Sequence, residues 1–181
     1  MNEKNFVEQN GIYVINPGDP KYPTSIHKVR KKLPTIYHMG QLFDYDNGIA
    51  VVGTRRNSEN GQLFAQNIGK LLSENNYKVV SGLATGIDTF AHSGCLENNG
   101  LTIAILAWFR EGFPKTNKEL LEKIVETGCA LSENVFVPTK EPKYAFLKRD
   151  DIIASLSDAV VVVETRSKGG CLLYTSDAAD E

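Results

Sequence analysis

Two glycine-bearing turns and a scatter of cations carry the chemistry open to this sequence. The apolar run Ile49-Ala50-Val51-Val52 ends in Gly53-Thr54-Arg55-Arg56, and Val79-Val80 ends in Ser81-Gly82-Leu83-Ala84-Thr85-Gly86-Ile87-Asp88. β-Branched residues leading into small residues and then a helical pattern place each turn at the end of a strand. Backbone N–H groups there can hold an anion with help from a helix dipole. Gly53, Gly82 and Gly86 would let a sugar-phosphate chain approach closely. Arg55 and Arg56 add forks suited to phosphate, although a solvated or salt-bridged surface pair is an equal reading.

Farther along, Lys115, Lys143, Lys148 and Arg149 are candidates to extend a basic surface. Phe146, among the last three, could stack a base. Spacing alone favours a core position for it near a helix start. Asp88 reads first as a helix first-turn acid. Glu133 and Glu164 sit at strand ends, where hydrogen bonding to neighbouring turns is favoured over a catalytic pair. Lys28, Arg30, Lys31 and Lys32 read as a solvated face.

Several chemistries lack their residues. No G-x-G-x-x-G follows the first strand, which argues against a nicotinamide or flavin cofactor. No G-x-x-x-x-G-K-[ST] is present, which argues against an NTPase. Ser81 is not in a G-x-S-x-G elbow, and His92 has no evident orienting group. The three histidines and three cysteines (Cys95, Cys129, Cys171) are scattered without metal or redox spacing. The expectation is no cofactor, no metal and no catalytic constellation.

The elements that must position these residues follow from periodicity. Strands are expected at Ile49–Val52, Val79–Ser81, Thr102–Ala107, Cys129–Ser132 and Ala159–Glu164, the last with four consecutive valines reading as a central buried strand. Between them, a helix capped by Asn57 or Ser58 carries Phe64, Ile68, Leu71 and Leu72 on one face. Others run from about Gly86 to Glu97, Asn117 to Glu126 and Tyr144 to Leu156. Strands separated by helices give a doubly wound, Rossmann-like α/β sandwich with a mostly parallel sheet. Ligands in such folds sit beyond the carboxyl ends of the strands, which places Gly53–Arg56, Ser81–Asp88, Ala107–Asn117 and Thr165–Gly170 on one rim. Residues 1–46 are rich in turn chemistry, such as Asn16-Pro17-Gly18-Asp19-Pro20, and read as a cap on a domain spanning 47–170. Leu33–Gly40 is expected to be a short extended piece of edge character.

The chain has 181 residues and a formal charge of −2, with ordinary hydrophobic and charged fractions. The first residues lack a signal-peptide core, and no apolar run is long enough to span a bilayer. A reduced, cytoplasmic setting without membrane attachment is expected. Residues 171–181 resemble translated read-through of a transposase-type sequencing adapter. Without their three acids the charge would move from −2 to +1. The fold is therefore expected to be incomplete after Gly170, and the chain to be marginally stable.

The order of these stretches resembles the DNA-processing protein A family, also called DprA or Smf. The matching residues are Ile49–Arg56, Ser81–Asp88 with Ala91-His92, Phe113-Pro114 with Asn117, Leu131-Ser132-Glu133, Phe146 with Arg149 and Ile152-Ile153-Ala154, and Val160–Glu164. Pro17-Gly18-Asp19, Tyr22-Pro23 and Tyr37–Gly40 match near the start, so the likeness covers about residues 11–170.

The resemblance implies an extended Rossmann-like fold that binds single-stranded DNA without sequence preference. It also implies resistance to competition by single-strand-binding protein, loading of the RecA recombinase, a role in natural transformation, and a homodimer. The family pocket carries over as Gly53, Thr54, Arg55, Lys143, Phe146 and Gly169-Gly170, which moves Phe146 from core toward stacking. Arg56, Ser81, Gly82, Gly86 and Arg149 complete the candidate DNA-binding set. Two departures stand out. Arg149-Asp150-Asp151 replaces the family's Arg-Asn-Arg, and Ala107-Trp108-Phe109-Arg110 replaces a glycine-rich turn, with Trp108 either a second stacking face or a loop anchor. The competing function is a nucleoside-monophosphate-cleaving enzyme or nucleotide sensor of the lysine-decarboxylase-like superfamily, whose Pro-Gly-Gly-x-Gly-Thr stretch would fall at Lys168-Gly169-Gly170.

Overall fold

The structure is a computed structural model that describes residues 2–139 and 142–165. Gly169, Gly170 and the segment from Cys171 onward lie outside the described residues. Among the described residues seven strands form one mixed sheet: β1 (Tyr13–Ile15), β2 (Ile36–Gly40), β3 (Gly48–Gly53), β4 (Lys78–Ser81), β5 (Thr102–Ile105), β6 (Cys129–Ser132) and β7 (Ala159–Val163). Their spatial order is β1-β2-β6-β5-β4-β3-β7. The five strands from β3 onward run parallel, with Val51 opposite Val161 and Val80 opposite Ile103. β2 lies antiparallel to β6, and β1 antiparallel to β2.

Five helices among the described residues accompany the sheet: α1 (Glu3–Gln9), α2 (Glu59–Glu74), α3 (Ile87–Glu97), α4 (Lys118–Thr127) and α5 (Pro142–Ser155). Side-chain alternation along each strand divides the core into layers. Ala50, Val52, Val80, Ile103 and Ile105 pack with Ile152 and Ile153 of α5, with Leu156 just after it, and with Ile26 of a short 3-10 helix over Thr24–Lys28. The opposite face carries Val51 and Val79 against Ala65, Ile87 and Ala91 of α2 and α3, and Ala104 and Ala130 against Leu121 and Ile124 of α4. This is the expected three-layer Rossmann-like sandwich.

Three expectations change. The extended piece at Leu33–Gly40 is not an edge, because β1 and β2, both within residues 1–46, extend the sheet itself. His38 on β2 is fully buried, and β2 is flanked on both sides by strands. The pleat supplies the reason: Ile15 and Ile36 turn into the same core as β3 to β6.

The face of α2 also differs. Ser58 caps the helix, its Oγ accepting from the Gly61 N–H at 3.0 Å. Yet Phe64 and Leu71 are 55% and 52% exposed, while Gly61, Ala65 and Gly69 are buried. A Cβ on Gly69 would strike the Ala91 carbonyl, and one on Gly94 the Gln66 carbonyl. Backbone-to-backbone contact between α2 and α3 thus selects the small-residue stripe, with Ile68 and Leu72 of the expected face packing beside it and Phe64 and Leu71 left outside.

Finally, β7 is a margin strand among the described residues, paired with β3. Its valines still serve two layers: Val160 and Val162 pack on the α5 side, Val161 and Val163 on the α2–α3 side.

Candidate nucleic-acid interface

The carboxyl ends of β3, β4 and β5 open toward the N-terminal part of α5, and a cleft of about 220 Å³ lies between them. Arg55, Gly82, Thr85, Trp108, Phe146 and Arg149 are among its walls. The Arg55 guanidinium carbon stands 5.8 Å from the centroid of the Phe146 ring. Trp108 meets the same ring edge-on, with centroids 5.3 Å apart and planes at 67°. Phe146 is half-buried, so it is a cleft residue and not a core one. Two aromatic rings and an exposed guanidinium therefore share one concavity, an arrangement suited to stacking a flat π-system beside an anion.

Thr54 holds Arg55 in place. Its N–H donates to the Glu164 carbonyl at 2.8 Å, its carbonyl accepts from the Ile87 N–H at 3.3 Å, and its hydroxyl accepts from the Arg56 N–H at 3.2 Å. With its polar groups engaged in this way, Thr54 acts as a junction of β3, β7 and α3 that aims Arg55 outward. Gly53 and Gly86 serve the same junction. A Cβ on Gly53 would collide with the Val163 carbonyl, and one on Gly86, at φ +85°, with the Thr54 carbonyl. Their openness is taken up by the protein's own chain rather than by a ligand.

The turn after β4 differs from a phosphate cradle in the same sense. The N–H groups of Gly82 and Ala84 donate to Asp88 Oδ2 at 3.1 and 3.3 Å. The Asp88 carboxylate fills the anion position. Burial raises its pKa, while the Arg149 charge and these N–H bonds pull it down. Arg149 Nη1 lies 4.0 Å from Asp88, and Nε lies 2.8 Å from Asp150 Oδ1. Arg149 closes the floor of the cleft with its side chain only 11% exposed. A Cβ on Gly82 would occupy the position of Arg149 Nη1, so this glycine makes room for the guanidinium.

Ser81 departs most from a DNA-contacting role. It is fully buried, and its hydroxyl donates to the Val51 carbonyl at 2.6 Å. Arg56 and Lys143 are exposed outside the cleft walls. Lys143 precedes Phe146 by three residues on α5, so both lie on one side of the helix. Gly169 and Gly170 are outside the described residues.

The strand-end acids are structural. Glu164 accepts from the Ser58 N–H and hydroxyl at the start of α2, at 2.9 and 3.0 Å to the same oxygen. Glu133 lies 3.4 Å from Arg30, which also contacts Asp151 at 2.9 Å. Arg30, read from sequence as part of a solvated face, is thus half-buried in an ion-pair cluster.

Two features had no role assigned from the sequence. Asn117 donates through Nδ2 to the Leu83 carbonyl at 3.0 Å and to Thr89 Oγ1 at 2.9 Å, tying the start of α4 to the turn after β4. Leu83, Glu111 and Glu164 have φ of 53°, 61° and 54°, a left-handed conformation uncommon outside glycine and asparagine. All three lie in rim loops, consistent with backbone strain gathering at a functional site. No short-range sequence signal marks them.

Among the described residues no cluster of three or more His, Cys, Asp or Glu side chains could hold a metal ion. No helix there is long and apolar enough to cross a membrane.

Comparison with known proteins converges on one family. The family model for DNA recombination-mediator protein A matches residues 13–181. Protein Smf from Synechocystis sp. is 36% identical over 190 residues, covering 100% of this chain and 47% of that protein. The chain thus spans about half the length of that relative. The X-ray structure of DNA processing protein A from Streptococcus pneumoniae superposes with a TM-score of 0.82 at 29% identity, covering 99% of this chain and 64% of that one. DNA processing protein A from Helicobacter pylori, whose structure concerns its single-stranded DNA binding mode, superposes at 0.76 with 25% identity, covering 90% of this chain and 74% of that one. With these matches, a mostly parallel Rossmann-like sheet and an aromatic, arginine-flanked cleft at its strand ends, the chain belongs to the DNA recombination-mediator protein A (DprA/Smf) family.

Proposed function

We propose that this chain binds single-stranded DNA in the cleft, without sequence preference, by stacking a base against Phe146 and Trp108 while Arg55 and Lys143 neutralise phosphates. The observation that carries the reading is the Arg55–Phe146–Trp108 group, which offers one cation and two π-faces in a single concavity. Stacking of this kind accepts any base, because every base has a π-face. Arg56 extends the positive field. Gly53, Thr54, Gly82 and Gly86 act by shaping the loops that present these groups.

The protein acts in recombination and DNA uptake by holding single strands against competition from single-strand-binding protein and passing them to the RecA recombinase. The complete protein works as a cytoplasmic homodimer. It is a binding protein and not an enzyme. The engagement of Asp88, Glu133 and Glu164 in internal contacts supports this over cleavage of nucleoside monophosphates.

Fluorescence anisotropy with labelled oligo-dT and a duplex of equal length tests the proposal. Oligo-dT is expected to bind more tightly, with affinity falling as salt rises. Phe146→Ala should cost about 1–3 kcal/mol of strand affinity. Arg55→Ala with Lys143→Ala should remove most of the binding and leave the circular dichroism spectrum unchanged. Equal affinity for both nucleic acids, or full affinity in the double variant, would refute it.

A further inference from the structure

A second cavity, of about 540 Å³, adjoins the cleft and lies between α1, β2 and α4. The two concavities share Glu111 and Phe113 as a common wall. The floor of the second is apolar, with Phe6, Met39, Phe109 and Val125 among its residues. Its rim is charged, three cations (Arg110, Lys115, Lys118) against two carboxylates (Glu111, Glu122).

The loop between the cavities is held rigidly. The N–H groups of Phe109 and Arg110 donate to the carbonyls of Asn134 and Val135 at 3.1 and 2.9 Å. The Arg110 guanidinium carbon stands 5.7 Å from the Phe136 ring centroid.

We infer that this cavity is a second nucleotide subsite, taking an unstacked base of the same strand on its apolar floor and a phosphate on Arg110 and Lys118. The inference rests on the cleft being a single-strand site. Three observations favour a nucleotide. The cavity has the size of a small-ligand pocket, between about 300 and 1,000 Å³. An apolar floor under a cationic rim matches a flat base carrying a phosphate. The two concavities adjoin across Glu111 and Phe113, so a strand leaving Phe146 would pass over Phe113 to reach the second floor. Lys118 is the first residue of α4, where its charge opposes the helix dipole, and its Nζ lies 3.7 Å from Glu122 one turn on, a pairing that a phosphate would take over.

The experiment uses the intact chain, oligo-dT of about 4 and about 16 nucleotides, and the variants Lys118→Glu, Val125→Trp and Arg55→Ala. Lys118→Glu places a carboxylate in the first turn of α4, which favours the helix, and Val125→Trp fills the cavity. Both should bind the short strand like the parent and the long strand about tenfold more weakly. Arg55→Ala should weaken both lengths. If Lys118→Glu and Val125→Trp both keep parental affinity for the long strand, the cavity takes no nucleotide and the inference fails, while the cleft reading stands on Arg55→Ala. If Arg55→Ala changes neither length, the cleft reading fails and the inference with it.

Discussion

Arg149 Nε lies 2.8 Å from the Asp150 carboxylate, so the innermost cation of the cleft is paired with its own chain neighbour. The ion pair draws positive field away from the position a phosphate would take. Asp150→Asn should raise oligo-dT affinity about fivefold at low salt, with the gain shrinking as salt rises. Anisotropy titrations at two salt concentrations measure this. Unchanged affinity would mean that Arg149 only closes the floor.

Gly82 exists to admit that same guanidinium. Gly82→Ala should destabilise the fold by about 1–3 kcal/mol, because the new Cβ claims the position of Arg149 Nη1. Arg149→Ala in the same chain should recover most of the loss. Urea unfolding of the two single variants and the double variant gives the coupling directly, and strictly additive costs would show that the clash is relieved elsewhere.

Ser81 separates folding from binding. Its buried hydroxyl bonds the Val51 carbonyl across β3 and β4. Ser81→Ala should cost about 1 kcal/mol of stability and leave oligo-dT affinity at the parental value. A selective loss of affinity would return Ser81 to the DNA-contacting set.

Acid should weaken the fold through two buried histidines. Burial lowers His38 to about 4 and His92 to about 3, from an ordinary 6.5. His92 Nδ1 lies 2.6 Å from Thr102 Oγ1, and that hydroxyl donates to the Val79 carbonyl, so Nδ1 carries the hydrogen and donates it; burial keeps the ring neutral. With depressed folded values, the unfolded chain binds more protons below 6.5. Stability is then present above about pH 6.5 and lost down to about pH 4 for His38 and pH 3 for His92, by up to about 1.4 kcal/mol per pH unit for each. Asp88 and Glu133, both raised by burial, pull in the opposite direction as they take up protons. Urea midpoints of the parent and a His38→Gln, His92→Gln variant at pH 7 and pH 5 measure the histidine share. A parent that loses no more stability than the variant would exclude it.

Much of the frame could be read locally. The strands at β3, β4, β6 and β7, the Ser58 cap and the starts of α3, α4 and α5 each depend on a few neighbouring residues, and each lies within a few residues of its expected place. The stripe of α2 holds for Ile68 and Leu72 and fails for Phe64 and Leu71, because close packing on α3 requires Gly61, Ala65 and Gly69. β1 has no sequence signal and β2 reads only as an edge piece, because their short, turn-flanked segments gain their stability from pairing across the fold.

By itself the sequence determined the alternation of strands and helices, the turn that carries Arg55, and the absence of the familiar cofactor motifs, all of which reside in short windows of chain. Only the tertiary structure decided what those turns do. It assigned the glycines to contacts within the protein, filled the expected anion position with Asp88, and turned Ser81 inward. It also brought Trp108 and Phe146 together beside Arg55, from three segments far apart along the chain. The physical reason is that propensity and capping act over neighbouring residues, whereas a cleft is set by strand order and by how closely helices pack on the sheet.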